Sequence, residues 1–479
     1  MCIGILLKRF IKIQGVYLMK YLTAELAEYV FKISYECLSP RAIEVAKQIV
    51  LDSYGNIVYG RYSNNSKKIM KYFALADGKN KNENQVNLIG TEKLKTSLDT
   101  AVFTHTMMAR CADLDDGYRH AMGHPGSGLV PLALSAGQLY NNNGREILTA
   151  LVAAYDIYAR LGEAVNPFMY RERGFDATGV CGAIAAAALI CKLKGCTIDN
   201  INNAMGIAAL FTGGTIEYQN DGTSGKIMCG GWGDLTGIRA MRLSEAGFTG
   251  PLAALEGNRG FFHAFKGNSG YCDTGNILKK LGKDFKIIDI YFKIHACMRG
   301  LHATLDGVLQ IRNQYRLRLE DIESVDILTS SFVYRLSNPN PKTAVGAQAS
   351  IQFATAIMLK YGKLDSENLI LESFNDKDIK NTVKKITVIK DDEIQRYLDT
   401  HPTHFGASKI IIKTVSGKVY NVFKPIAMGD SEIPFGWDTL KMKFYNLVTD
   451  TPIEVKKGSY FDYIKNLDKH NDIHMLFTF

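Results

Sequence analysis

Residues 181–193 read CGAIAAAALICKL, apolar on every side of a helical wheel save for Lys192. Alanine and leucine favour the helix, and a helix without a polar face belongs in the middle of a bundle. Such a helix needs others around it, and the flanking text supplies them. Residues 42–58 (AIEVAKQIVLDSYGNIV) and 147–165 carry apolar residues at three- and four-residue spacing, which marks a helix with one buried face. Residues 203–209 (NAMGIAA) and 237–246 continue the pattern, and very little between Tyr21 and Phe265 reads as strand.

The character changes near Gly270. Residues 321–330 (DIESVDILTS) and 385–390 are short β-branched runs, and 409–415, Ser416-Gly417 and 418–423 read as a hairpin across a two-residue turn. Helical text at 301–314 and 348–360 lies between them, and 437–446 turns helical again. The chain has 479 residues, more than one compact core holds. The expectation is a mainly α protein. Residues 19–270 with 430–479 form a large all-helical domain, and 271–429 form an inserted, smaller α+β domain. Residues 1–18 hold basic but no acidic side chains and are expected to be a disordered extension ahead of Met19. The apolar run at 3–7 is too short for a secretory signal.

Composition narrows the function. Hydrophobic residues make up 46% and charged ones 22%, the balance of a globular protein. The net charge of +9 is spread along the chain with no dense Lys/Arg run, so no nucleic-acid surface is expected. No stretch approaches the roughly 20 apolar residues of a membrane span. The nine cysteines are odd in number and form no CxxC pair, which reads as free thiols in a reducing, cytoplasmic setting. No HExxH, Walker or dinucleotide motif is present, so neither metal nor cofactor is expected.

Four clusters could carry chemistry. In 113–126 (DLDDGYRHAMGHPG), three carboxylates, an Arg and two His precede an apolar helix. One reading is a His acid/base beside an anion-binding helix end; the other is a helix-capping acidic loop. In 171–179 (RERGFDATG), Asp176 or Thr178 can simply be an N-cap. Lys226 stands in glycine-rich text, where the backbone can approach a ligand closely, or where helices merely pack tightly. In 291–302 (YFKIHACMRGLH), a Lys, an Arg and two His open the second domain. Cys297 has no third orienting group near it, which argues against a Cys–His nucleophile.

In this order, and with GFDATGVCGAIAAAA, LEGNRGFF, PKTAVGAQASIQFATA and GDSEIPFGWDTLKMKF, the clusters resemble the MmgE/PrpD family from about Tyr21 to Val448. That family includes 2-methylcitrate dehydratase, cis-aconitate decarboxylase and iminodisuccinate epimerase. The resemblance implies a helical domain built from both chain ends, an α+β lid, a homodimer, and a cofactor-free site between the domains. It puts Asp113, His124, Lys226 and Lys293 at family active-site positions, with Tyr334 as a looser match. Three departures stand out. Asp176 occupies a usual His position, Gly117 a common Thr position, and Met298 aligns with a site residue of the decarboxylase branch. They argue against cis-aconitate decarboxylation.

Removing a proton beside a carboxylate builds a dianion that cations must meet. The same groups would serve dehydration or epimerisation, and the resemblance implies a lyase dehydrating a small hydroxy di- or tricarboxylic acid. His124, oriented by Asp113, is the base; Lys226, Lys293 and Arg299 are the cations, and Asp176 is a second acid/base or a group that selects a cationic or hydroxyl-bearing substrate. His120, Arg299, His302 and Tyr334 are expected to bind substrate. The alternatives are an epimerase of an iminodisuccinate-like acid, or an inactive dimeric scaffold.

Overall fold

The computed structural model describes residues 10–13, 16–19, 21–76, 85–91, 94–266, 274–369 and 371–478. Eight helices dominate its first half: α1 (Leu22–Lys32), α2 (Pro40–Tyr62), α3 (Leu98–Arg110), α4 (Gly126–Tyr140), α5 (Gly144–Val165), α6 (Ala177–Lys194), α7 (Ile198–Phe211) and α8 (Cys229–Glu245). The apolar helix α6 sits at the centre, packed against α4, α5, α7 and α8. Contrary to the expectation that no stretch approaches a membrane span, it is long and apolar enough to cross one, yet 89% of it is buried inside the protein. It starts on the Asp176 side chain, which accepts the Thr178 N–H, and stops at Gly195, whose φ of +75° a glycine adopts without strain. Helix α8 comes unusually close to it. A Cβ at Gly237 would lie 2.6 Å from the Ala187 nitrogen.

The second half begins with α9 (His302–Gln314), then β1 (Ile322–Thr329), α10 (Ile351–Tyr361), β2 (Ile386–Lys390), β3 (Ser408–Thr414) and β4 (Val419–Lys424). The sheet order is β4-β3-β1-β2, with β1 and β2 parallel and the other pairs antiparallel. Its buried face, including Ile327, Ile410 and Ile412, packs with α9 and α10. The hairpin is present, its first strand ending at Thr414 and its second starting at Val419, so the connection spans four residues where two were expected. The helix expected at 348–360 is present but starts three residues later, because Ser350 caps it by accepting the Phe353 N–H. Helix α11 (Trp437–Leu447) then returns to pack on α2.

Buried apolar side chains fall into two clusters. One holds residues of the helical half together with Phe435, Phe444 and Phe461; the other runs from Ala296 to Ile412 and adds Ala112, Leu114 and Leu447. Ile277, Phe285, Ile287, Ile290 and Phe292 belong to the first. The chain thus changes core at about residues 293–296, later than the shift in the text near Gly270 suggested. Of the expected N-terminal extension, residues 1–9, 14 and 15 lie outside the described residues, while Phe10–Ile13 pairs antiparallel with Val16–Met19.

Candidate active site

Helix α3 ends at Arg110, and Asp113 follows in a left-handed conformation, φ +55°. For a residue with a Cβ this costs about 1–3 kcal/mol and persists only where its surroundings enforce it. Here they do. Lys293 Nζ lies 2.7 Å from Asp113 Oδ1 and donates to the Asp113 carbonyl at 3.2 Å, and Lys226 Nζ lies 2.7 Å from Oδ2. Lys226 comes from the 3-10 turn Ser224–Ile227, and Lys293 follows a two-residue strand, Ile290–Tyr291, paired with Gly117–Tyr118. Burial alone would raise the Asp113 pKa, but the two ammonium groups hold it well below the usual carboxylate range. Burial lowers the pKa of Lys226, against the pull of Asp113 and with the push of Lys293. Two cations share one carboxylate, so a positive charge is left over for an anion.

His124 stands beside this triad. Its Nδ1 is 2.7 Å from the Asp116 carbonyl and 3.4 Å from Asp115 Oδ2. A carbonyl only accepts, so Nδ1 carries the proton and Nε2 keeps its lone pair. Burial pushes the ring's pKa down to about 4, outweighing the attraction of Asp115, with Lys293 and Arg110 adding to the depression. At neutral pH the ring is an uncharged base.

The other acidic residues hold the frame. Asp116 accepts from the Gly126 N–H at 2.9 Å and the Tyr155 hydroxyl at 2.7 Å, and burial raises its pKa to about 7. Arg110 Nη1 reaches Asp115 at 3.5 Å, Ser127 at 3.2 Å and Thr178 at 3.3 Å, while its Nη2 is 3.8 Å from Asp176. Asp176 spends one oxygen on the Thr178 N–H and the other on the Tyr218 hydroxyl, both at 2.8 Å. Burial would raise its pKa, but Arg110 and these donors keep it ionised. It lines the site as a helix cap.

A cavity of about 620 Å³ opens above these groups. Arg110, Asp113, His124, Asp176, Lys226, Lys293 and Arg299 all line it, together with Met122, Met298 and a set of amide side chains. Its exposed side carries three further cations, Arg171, Arg335 and Lys342. Among the described residues no carboxylate pairs with these three. Seven cations therefore face two carboxylates. Among the described residues, no group of three or more His, Cys, Asp or Glu side chains is arranged to hold a metal ion.

Five expectations need correction. Asp113 does not orient His124; the Asp116 carbonyl and Asp115 do. Asp176 lines the cavity but works as a cap, with one oxygen engaged by the Thr178 N–H and the other by the Tyr218 hydroxyl. His120 is exposed and its ring packs on Tyr118, outside the cavity, since its 3-10 turn points Arg119 inward instead. His302 is fully buried between the Cys297 carbonyl and Arg299, also away from the cavity. Tyr334 is 45% exposed. Its helical turn directs Phe332, Arg335 and Leu336 into the cavity, and Tyr334 falls on the other face. Arg299 touches the cavity, but its charge is answered by Asp430 at 3.0 Å and its N–H groups by the Ala427 and Met428 carbonyls.

Cys297 is buried and its thiol pKa raised by that burial, which removes it as a nucleophile. Sequence reasoning passed over Arg110, Arg335 and Lys342. Arg110 had a signal, a basic residue one turn before an acidic cluster. The other two lie in polar loop text that gives none.

The sequence matches the MmgE/PrpD N-terminal domain over residues 24–271 and the MmgE/PrpD C-terminal domain over 295–459. Among curated relatives, a cis-aconitate decarboxylase-like protein, oryM, of Aspergillus oryzae is 23% identical over 420 residues, covering 83% of this chain and 84% of its own length. A cis-aconitate decarboxylase of Aspergillus terreus is 22% identical over 398 residues, covering 78% and 79%. With both family domains matched in order across two cores and the cavity between them, the chain belongs to the MmgE/PrpD family.

Proposed function

We propose that this protein is a lyase acting on a small di- or tricarboxylic acid by moving a proton beside a carboxylate. The observation that carries the reading is His124, a neutral base with its Nδ1 proton committed, in one cavity with the Lys226–Asp113–Lys293 triad. In the dehydration reading, Nε2 takes the proton from the carbon next to a substrate carboxylate. The electron pair moves into that carboxylate, and the ammonium groups of Lys226 and Lys293 meet the extra charge. Hydroxide then leaves the neighbouring carbon with a proton from Lys226, whose lowered pKa suits a donor. The products are an alkene acid and water, and exchange with solvent resets both side chains. The exposed-side cations Arg171, Arg335 and Lys342 favour a substrate with more than one carboxylate.

Decarboxylation is the second reading, favoured by the names of the two fungal relatives. There a carboxylate leaves as CO2, the same cations hold the resulting charge, and a protonated side chain delivers a proton to carbon. Met298 at a site position of the decarboxylase branch speaks against this second reading. The test is to incubate the protein in D2O with citrate, 2-methylcitrate, cis-aconitate and malate, followed by proton NMR. Loss of a C–H signal with alkene formation is expected, and CO2 release would select the second reading. No exchange and no product from any acid would remove the lyase assignment.

A further inference from the structure

The acidic segment that carries the triad is gripped from behind by a residue far away in the chain. Lys443 lies on α11 with its side chain 6% exposed. Its ammonium ion-pairs with Asp52 of α2 and donates to the Leu114 carbonyl at 2.6 Å. Leu114 stands between Asp113 and Asp115, with its side chain in the second core. Two consecutive carbonyls, of Asp113 and Leu114, are thus each held by a buried ammonium, Lys293 on one and Lys443 on the other. That fixes the peptide planes after a residue whose positive φ its neighbours must enforce. The next residue of α2 holds the far end of the same segment, since Ser53 donates to the Gly126 carbonyl at 3.3 Å. Asp52 is itself buried and hydrogen-bonded to Asn56.

Resting on the proposed proton chemistry, we infer that Lys443 is a positioning residue for it: its bond to the Leu114 carbonyl holds Asp113 and Asp115 in place against the lysines and His124. Among the described residues Lys443 does not line the cavity, so it acts on the site through the Leu114 carbonyl and its pair with Asp52. Small displacements of this kind are costly, because misplacing reacting groups by an ångström can lower a rate roughly 100-fold.

The test uses three variants of the full chain. Lys443→Met removes the donor. Asp52→Asn/Lys443→Met does the same without stranding a buried carboxylate, so the fold is protected. Lys443→Arg keeps a cationic donor. The expected result is a kcat roughly 100-fold lower in both Met variants, KM within about threefold of wild type, and partial recovery in the Arg variant. Wild-type kcat in a folded Asp52→Asn/Lys443→Met variant would overturn the inference. A second readout stands apart from turnover. The His124 ring C–H resonances, assigned by their loss in His124→Gln, are expected to shift in the double variant, and unchanged resonances would equally overturn it. If wild type turns over none of the acids, the lyase reading fails while the ring signal still decides on Lys443.

Discussion

A histidine becomes a base by being denied its charge, and His124 has that environment. Replacing it with Gln keeps a donor toward the Asp116 carbonyl but leaves no basic nitrogen. Turnover is expected to fall by roughly 100- to 10,000-fold with the melting temperature nearly unchanged. The pH dependence follows in sign. The folded pKa of about 4 lies below the ordinary 6.5, so the unfolded chain binds the proton more readily between those values. Stability from this group is complete above about 6.5 and is lost as pH falls through about 4. Activity rises over the same acid limb. It then declines on the alkaline side below the 10.5 of an ordinary lysine, because the pKa of Lys226 is lowered. A kcat/KM profile and pH-dependent melts of wild type and His124→Gln check both limbs; an acid limb unchanged in the variant's melts would clear His124 of the effect. These residues were legible in the sequence because rare charges crowd into short motifs there. Arg335 was not. A one-residue difference on a single helical turn decides which side chain faces the cavity, and only the turn's capping by Ser330 fixes that phase.

Periodicity read the elements well wherever one face is buried, and missed boundaries that side-chain capping sets, as at Ser350. Asp176 shows why a cap can pass for chemistry: polar residues gather at helix starts for both reasons. The structure separates the two, since Asp176 serves the first turn of the central helix α6 and pairs with Arg110 and Tyr218. Asp176→Ala is expected to cost about 1 kcal/mol for the cap and, with Arg110 left short of a partner, about 3 kcal/mol in all. Asp176→Asn keeps the capping oxygen and should lose less. Denaturant unfolding of the two variants measures the difference. If the Asn variant is as stable as wild type yet inactive, Asp176 carries a proton after all.

At the scale of the molecule, the site exists because two cores meet. The ribbon of Gly117–Tyr118 with Ile290–Tyr291 and the link from Arg119 to Asp430 and Glu432 tie the segments around it. The text at 274–292 hid this boundary, since short turns without periodicity do not reveal which core they pack on. The division also sorts the cavity's charges. The buried cations are already bridged by carboxylates, whereas Arg171 from the first half and Arg335 and Lys342 from the second are free to meet a substrate. Being exposed, they are screened by salt, and each contact with a carboxylate is worth about 1 kcal/mol. Arg335→Ala/Lys342→Ala is therefore expected to raise KM by roughly five- to thirtyfold for one or two lost contacts. Its kcat should stay near wild type, because these cations bind ground state and transition state alike. Wild-type KM should climb with ionic strength, and the double variant should have lost most of that slope. If kcat falls instead while KM and its salt dependence hold, the exposed cations govern closure or chemistry, and substrate recognition lies entirely with the buried triad.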